Sequence, residues 1–125
     1  MSGRRNQVGK LIQDAESAAG RGDHDIAFKI YSTLASEGDL TGQRMVAWSY
    51  LTGVGTTKDV TEASDRFADA ANKGDIWSMW YLGRNAFVEK NYPLAVLWYE
   101  KAADKDFASY SRILVMGDEG GVSWR

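Results

Sequence analysis

Apolar and small residues recur along this chain at steps of three and four, and nothing alternates with period two over a useful length. That is the pattern of helices that each bury one face, and it predicts no strand. Three segments share one spacing: Ala27, Tyr31, Ala35, Gly38; then Ala63, Phe67, Ala71, Gly74; then Ala95, Tyr99, Ala103, Asp106. Steps of four, four and three residues place each set on one side of a helix. Val46-Ala47, Leu82-Gly83 and Leu114-Val115 stand eight and nine residues beyond Gly38, Gly74 and Asp106. Successive copies are offset by 36 and then by 32 residues. A recurring unit of this length points to a stacked repeat rather than a single-core bundle.

The turn residues set the element boundaries. Gly20-Arg21-Gly22-Asp23, Gly38-Asp39 and Gly74-Asp75 interrupt the helical pattern, with aspartates placed to cap the helix that follows. A wider turn, Gly53-Val54-Gly55-Thr56-Thr57-Lys58-Asp59, accounts for the four extra residues of the longer copy, and Asp59 with Glu62 has capping-box spacing. Its counterpart in the next copy is the tight Glu89-Lys90-Asn91-Tyr92-Pro93, where proline suits a first helical turn. The reading is seven helices, at 6–20, 24–37, 39–52, 60–73, 75–88, 93–104 and 106–117. They form pairs at 6–37, 39–73 and 75–104, an unpaired last helix 106–117 and a tail 118–125, with no linker dividing the chain. The fold class is all-α: an α/α superhelix, a right-handed solenoid of about three and a half antiparallel helix pairs. Neighbouring pairs must stack, because a single pair cannot bury its own apolar stripe. Small residues at Ala27, Ala47, Ala63, Gly83 and Ala95 let helix axes approach, while Tyr31, Phe67 and Tyr99 fill the space between pairs.

The run Ala35-Ser36-Glu37-Gly38-Asp39, Val46-Ala47, Tyr50 through Gly55, Asp59, Ala63, Arg66-Phe67, Ala70-Ala71, Gly74 resembles a Sel-one-like repeat, a variant of the tetratricopeptide repeat with a longer glycine-containing turn. A second copy from Ala71 to Ala103 matches at Gly74, Leu82-Gly83, Ala95, Trp98-Tyr99 and Ala102-Ala103. It lacks the glycine loop and looks closer to a plain tetratricopeptide. The resemblance spans residues 24–117; the first pair matches weakly and the final copy stops after its first helix. Members of the family are often secreted and cysteine-bridged, and this chain has no cysteine.

Composition narrows the chemistry. The chain has 125 residues, 15 basic and 17 acidic, a single histidine and no cysteine. A mildly acidic balance argues against nucleic acid, since Arg4-Arg5 is no basic patch. Lack of thiols removes disulfides, cysteine nucleophiles and the usual structural zinc site. No apolar stretch approaches the ~18 residues that span a bilayer, and polar residues interrupt the N-terminal segment where a signal peptide needs an apolar core. The expectation is a cytoplasmic protein with no cofactor and no membrane insertion. His24 sits between Asp23 and Asp25 with no nucleophile beside it, Gly53-Val54-Gly55 lacks the lysine of a phosphate-binding loop, and no Ser-x-x-Lys motif supports the β-lactam chemistry described for some relatives. A weak hydrolase around His24 is the remote alternative; the chain reads as no enzyme.

What remains unexplained is one side of the helix 75–88. Asp75, Ser78, Met79, Leu82, Gly83 and Ala86 carry the packing signature, while Trp77, Trp80, Tyr81, Arg84 and Val88 lie opposite. Equivalent positions are Thr41, Arg44 and Trp48 before it and Ser109, Arg112 and Met116 after it. In tetratricopeptide-like folds these positions line a concave groove. The resemblance therefore implies a floor of Arg44, Trp48, Trp77, Trp80, Arg84, Arg112 and Met116, without the lysine and asparagine pairs of carboxylate-clamp relatives. Tryptophan and arginine are the residues enriched at binding hot spots. The function expected is a non-catalytic scaffold or adaptor that holds a partner's peptide or helix, acidic with apolar anchors. The alternative is a regulatory or structural subunit that self-associates, or docks on a partner, through its last helix and the Trp124 tail. That last helix reads equally as a cap, as a face for a second copy or a partner, or as the edge of a longer protein.

Overall fold

A computed structural model describes residues 2–116, and the side chains of residues 7–106. The described residues form six helices and no strand: α1 (Ser2–Gly20), α2 (His24–Ser36), α3 (Leu40–Thr52), α4 (Val60–Asn72), α5 (Ile76–Val88) and α6 (Tyr92–Met116). The chief packing is between helices consecutive in sequence. The result is the expected α/α solenoid.

One local device makes four of the turns. Gly22, Gly38, Gly74 and Lys90 each adopt positive φ after a helix. In each, the next amide reaches back to a carbonyl five residues earlier, as Asp39 N–H does to Leu34 O at 3.0 Å and Asp75 N–H to Ala70 O at 3.0 Å. This left-handed turn satisfies carbonyls that a helix end would leave bare. The residue delivered by it then caps the next helix. Asp39 Oδ1 accepts from Gly42 N–H at 2.9 Å, and Asp75 Oδ2 from Ser78 N–H at 3.0 Å. Asp23 departs from the pattern: its carboxylate makes no cap bond and accepts from Arg21 Nε instead. At the wide turn Asp59 Oδ1 caps Glu62 N–H, but the Glu62 carboxylate pairs with Arg66 rather than closing the capping box.

The expected seventh helix is a correction. No break occurs near residue 105, and α6 runs on for 25 residues. The cause is legible in the turn chemistry. Where Gly38 and Gly74 take φ of 91° and 104°, the third copy has Asp106, and Phe107 stands where Asp39 and Asp75 cap. Aspartate enters the left-handed conformation less readily than glycine and phenylalanine has no side-chain acceptor for a cap, so with both stop signals weakened the helix continues. Ala103 is consequently exposed, whereas Ala35 and Ala71 at the same repeat position are buried.

Small residues occur where backbones meet. Ala27, Ala47, Ala63, Gly83 and Ala95 are all buried. A Cβ on Gly42 would sit 2.7 Å from Ala35 N, and one on Gly83 would sit 2.8 Å from the Tyr99 ring. The core is layered to match: Tyr31 with Leu34 and Val46, Phe67 with Ala47 and Ala63, then Ala71 with Met79 and Ala102.

Candidate binding groove

The first helices of two consecutive repeats, α3 and α5, supply the walls of a cavity of about 620 Å³. Arg44, Met45 and Trp48 come from α3; Trp77, Trp80, Tyr81 and Arg84 come from α5. Positions 44 and 48 correspond to 80 and 84 one repeat later. Arginine and tryptophan therefore exchange places between neighbouring helices, so each wall carries both a cation and an indole. The indoles stay at the surface: Trp48 is 50% exposed, Trp77 68% and Trp80 45%. Their exposure follows from the opposite face of α5 being spent on the core, where Ser78, Met79, Gly83 and Ala86 are buried.

Two aromatic rings from the second helices complete the cavity. Phe67 of α4 is buried and stacks on Tyr81 with centroids 4.0 Å apart and planes 27° apart. Tyr99 of α6 packs against Trp80 at 5.7 Å. Their repeat positions place both in the space between pairs; the structure adds that both also line the cavity. Met45 lines it too, a residue that the repeat pattern does not single out. Tyr81 lay on the correct side of α5 in the pattern, four residues beyond Trp77.

The two arginines differ in availability. Arg44 Nη1 donates to Asp75 Oδ1 at 2.8 Å, with Asp75 only 7% exposed and Arg44 27%. Asp75 Oδ2 accepts a further 2.6 Å bond from Ser78 Oγ. One buried carboxylate thus caps α5 and ties it to α3. Arg84 is exposed and has no carboxylate partner among the described residues, which leaves its guanidinium fork open to a ligand. Of the seven residues expected in the groove, five meet at one cavity; Arg112 and Met116 lie outside the described side chains. Nearby, burial pushes the Tyr31 hydroxyl above its ordinary pKa of 10.0, with Glu16 adding to the shift and the Arg44 charge opposing it.

Other chemistry is sparse among the described residues. His24 is exposed at the start of α2 and does not line the cavity. No group of three or more histidine, aspartate and glutamate side chains is arranged to hold a metal ion. No described helix is long and apolar enough to cross a membrane.

The Sel1 repeat family model matches residues 41–63 and 77–107. The fold is similar to the crystal structure of a Sel1 repeat protein from Oxalobacter formigenes, with a TM-score of 0.72 and 25% sequence identity. That similarity covers 91% of this chain and 50% of the other, so this chain spans about half the length of that protein. No curated protein matches the sequence.

Proposed function

This chain is a Sel1-repeat protein, of a family whose members generally mediate protein–protein interaction, and from that premise we propose that it binds a partner's peptide or helix in the cavity between α3 and α5. The observation that carries the reading is the convergence of Trp48, Trp77 and Trp80 at one cavity with Arg84, which has no carboxylate partner among the described residues. Half-exposed indoles lose little conformational entropy on binding and gain large apolar area. A guanidinium fork favours a carboxylate. The ligand class is thus an acidic segment with aliphatic or aromatic anchors. The protein acts without catalysis or cofactor, in keeping with a family that is typically a non-catalytic scaffold, and its setting is the cytoplasm.

A displayed library of random 12-residue peptides tests this directly. Selection should enrich Asp or Glu spaced beside Leu, Phe or Trp. Trp80→Ala/Arg84→Glu should weaken the selected peptides about 30-fold or more, the ~2 kcal/mol expected of a hot spot, while keeping the wild-type far-UV circular dichroism. Selected peptides that bind the folded double variant at full strength would sink the groove assignment.

A further inference from the structure

The face of α6 that bears Tyr99 and Ala103 is a vacant place for a helix. In the preceding repeats the equivalent face of the second helix is covered by the helix that follows it. Residues of α3 pack over Tyr31 and Ala35, and α5 packs over Phe67 and Ala71, with Tyr81 stacked on Phe67. On α6 the helix fails to turn back. Ala103 is exposed, Tyr99 is only partly buried, and Tyr92 and Val96 of the same stripe are both about half exposed. Yet the segment meant for that place is present in the sequence. Residues 106–117 carry the first-helix signature, with Leu114-Val115 aligned to Val46-Ala47 and Leu82-Gly83, and they extend away from it as the second half of α6.

We infer that two copies of this chain form a reciprocal, swapped dimer in which the 107–116 segment of each copy covers the Tyr99–Ala103 face of the other. Residue 74 is the midpoint of the α4–α5 turn, and its counterpart is 106. Two straight α6 helices laid antiparallel about residue 106 therefore reproduce the register of α4 against α5. Phe67 faces Tyr81 in that template; the same offset sets Tyr99 opposite Ile113 of the second copy. No contact of a new kind is required. Each copy supplies what the other's extended helix leaves open, which is why exchange of an identical element is a low-cost route to a two-fold dimer. The hinge is Asp106: aspartate enters the left-handed conformation less readily than glycine and Phe107 offers no cap, so the closed hairpin carries a cost that the straight helix does not. This inference is independent of the groove reading and survives its failure.

The chain has no cysteine, so introduced thiols report contacts cleanly. Sedimentation of the wild type should give twice the 13.9 kDa chain mass. Tyr99→Cys and Ile113→Cys, made in separate chains, unfolded, mixed, refolded and oxidised, should give a mixed disulfide dimer several-fold above either variant alone. Within one straight helix the two positions lie about 21 Å apart, so a single chain carrying both cannot close on itself unless the hairpin forms. Asp106→Gly should raise the dimer dissociation constant at least tenfold and switch the double-cysteine chain to an intrachain disulfide. A wild type that stays monomeric at ~100 μM, the concentration of a weak dimer by affinity arithmetic, overturns the inference. So does an intrachain disulfide without the glycine, or a dimer in which 99 and 113 do not cross-link. Should Tyr99→Cys fail to fold, the wild-type mass and the response to Asp106→Gly still decide it.

Discussion

Replacing Asp75 asks whether one buried carboxylate fixes the two walls of the groove. Its Oδ2 caps α5 through Ser78 N–H at 3.0 Å, and its Oδ1 holds Arg44 of α3 at 2.8 Å. Loss of such a cap costs typically ~1 kcal/mol, and loss of a hydrogen bond to a charged group about 1.5–3 kcal/mol. Arg44 retains 27% exposure and can turn its guanidinium to water, so the lower end of the second range applies. The Ser78 hydroxyl, which donates to Oδ2 at 2.6 Å, also loses its acceptor, adding about 1 kcal/mol, so Asp75→Ala should cost about 3.5 kcal/mol. The molecule contains its own control. Asp39 caps α3 in the same geometry through Gly42 N–H at 2.9 Å, but the residue 31 places before it is Val8, where Arg44 stands 31 before Asp75. Asp39→Ala should cost only the cap, about 1 kcal/mol. Asp75→Asn keeps an able capping side chain and loses the charge, so it should fall between the two. Urea unfolding followed by far-UV circular dichroism gives the totals. Amide exchange at the first turn of α5 reports the local opening, since stacked repeats need not unfold as one unit. If Asp75→Ala and Asp39→Ala agree within about 0.5 kcal/mol, or Asp75→Asn is as stable as the wild type, the clamp contributes nothing beyond an ordinary cap.

Two further substitutions follow from the packing and the buried hydroxyl. Gly42→Ala would drive a Cβ to 2.7 Å from Ala35 N, a backbone atom with little room to retreat. It should cost about 1–3 kcal/mol despite alanine's better helix propensity, whereas Gly9→Ala on α1, which meets nothing within 4 Å, should gain about 0.5–1 kcal/mol; thermal melts of the two variants should move in opposite directions. Burial raises the folded-state pKa of Tyr31 above 10.0. The folded state then holds a proton that the unfolded chain releases, so this contribution is complete below pH 10 and is lost as pH climbs through the raised folded value. Subtracting Tyr31→Phe from wild type across pH 9 to 11 should expose that decline. A difference that stays flat with pH would refute it.

Local signals in the chain were sufficient for the helices and most of their ends, because a turn glycine, a capping aspartate and the spacing of small and aromatic residues act within a few residues of one another. Ala27, Tyr31 and Ala35, repeated as Ala63, Phe67 and Ala71, also placed the core, since each helix buries the face that its own period defines. The same periodicity left Trp48, Trp77, Trp80 and Arg84 on the remaining face. What the pattern left open was settled through space. Arg44 and Asp75 are 31 residues apart, and only the stacking of α3 beside α5 turns a free groove cation into a structural clamp. Phe67 and Tyr99 belong to second helices, yet the stacking of pairs brings both to the cavity. The end of α6 was decided by a balance: intact helical hydrogen bonds on one side, and on the other a hairpin whose packing must outweigh a left-handed Asp106. Sequence states the local half of that comparison, while the packing half exists only once the neighbouring helices are in place.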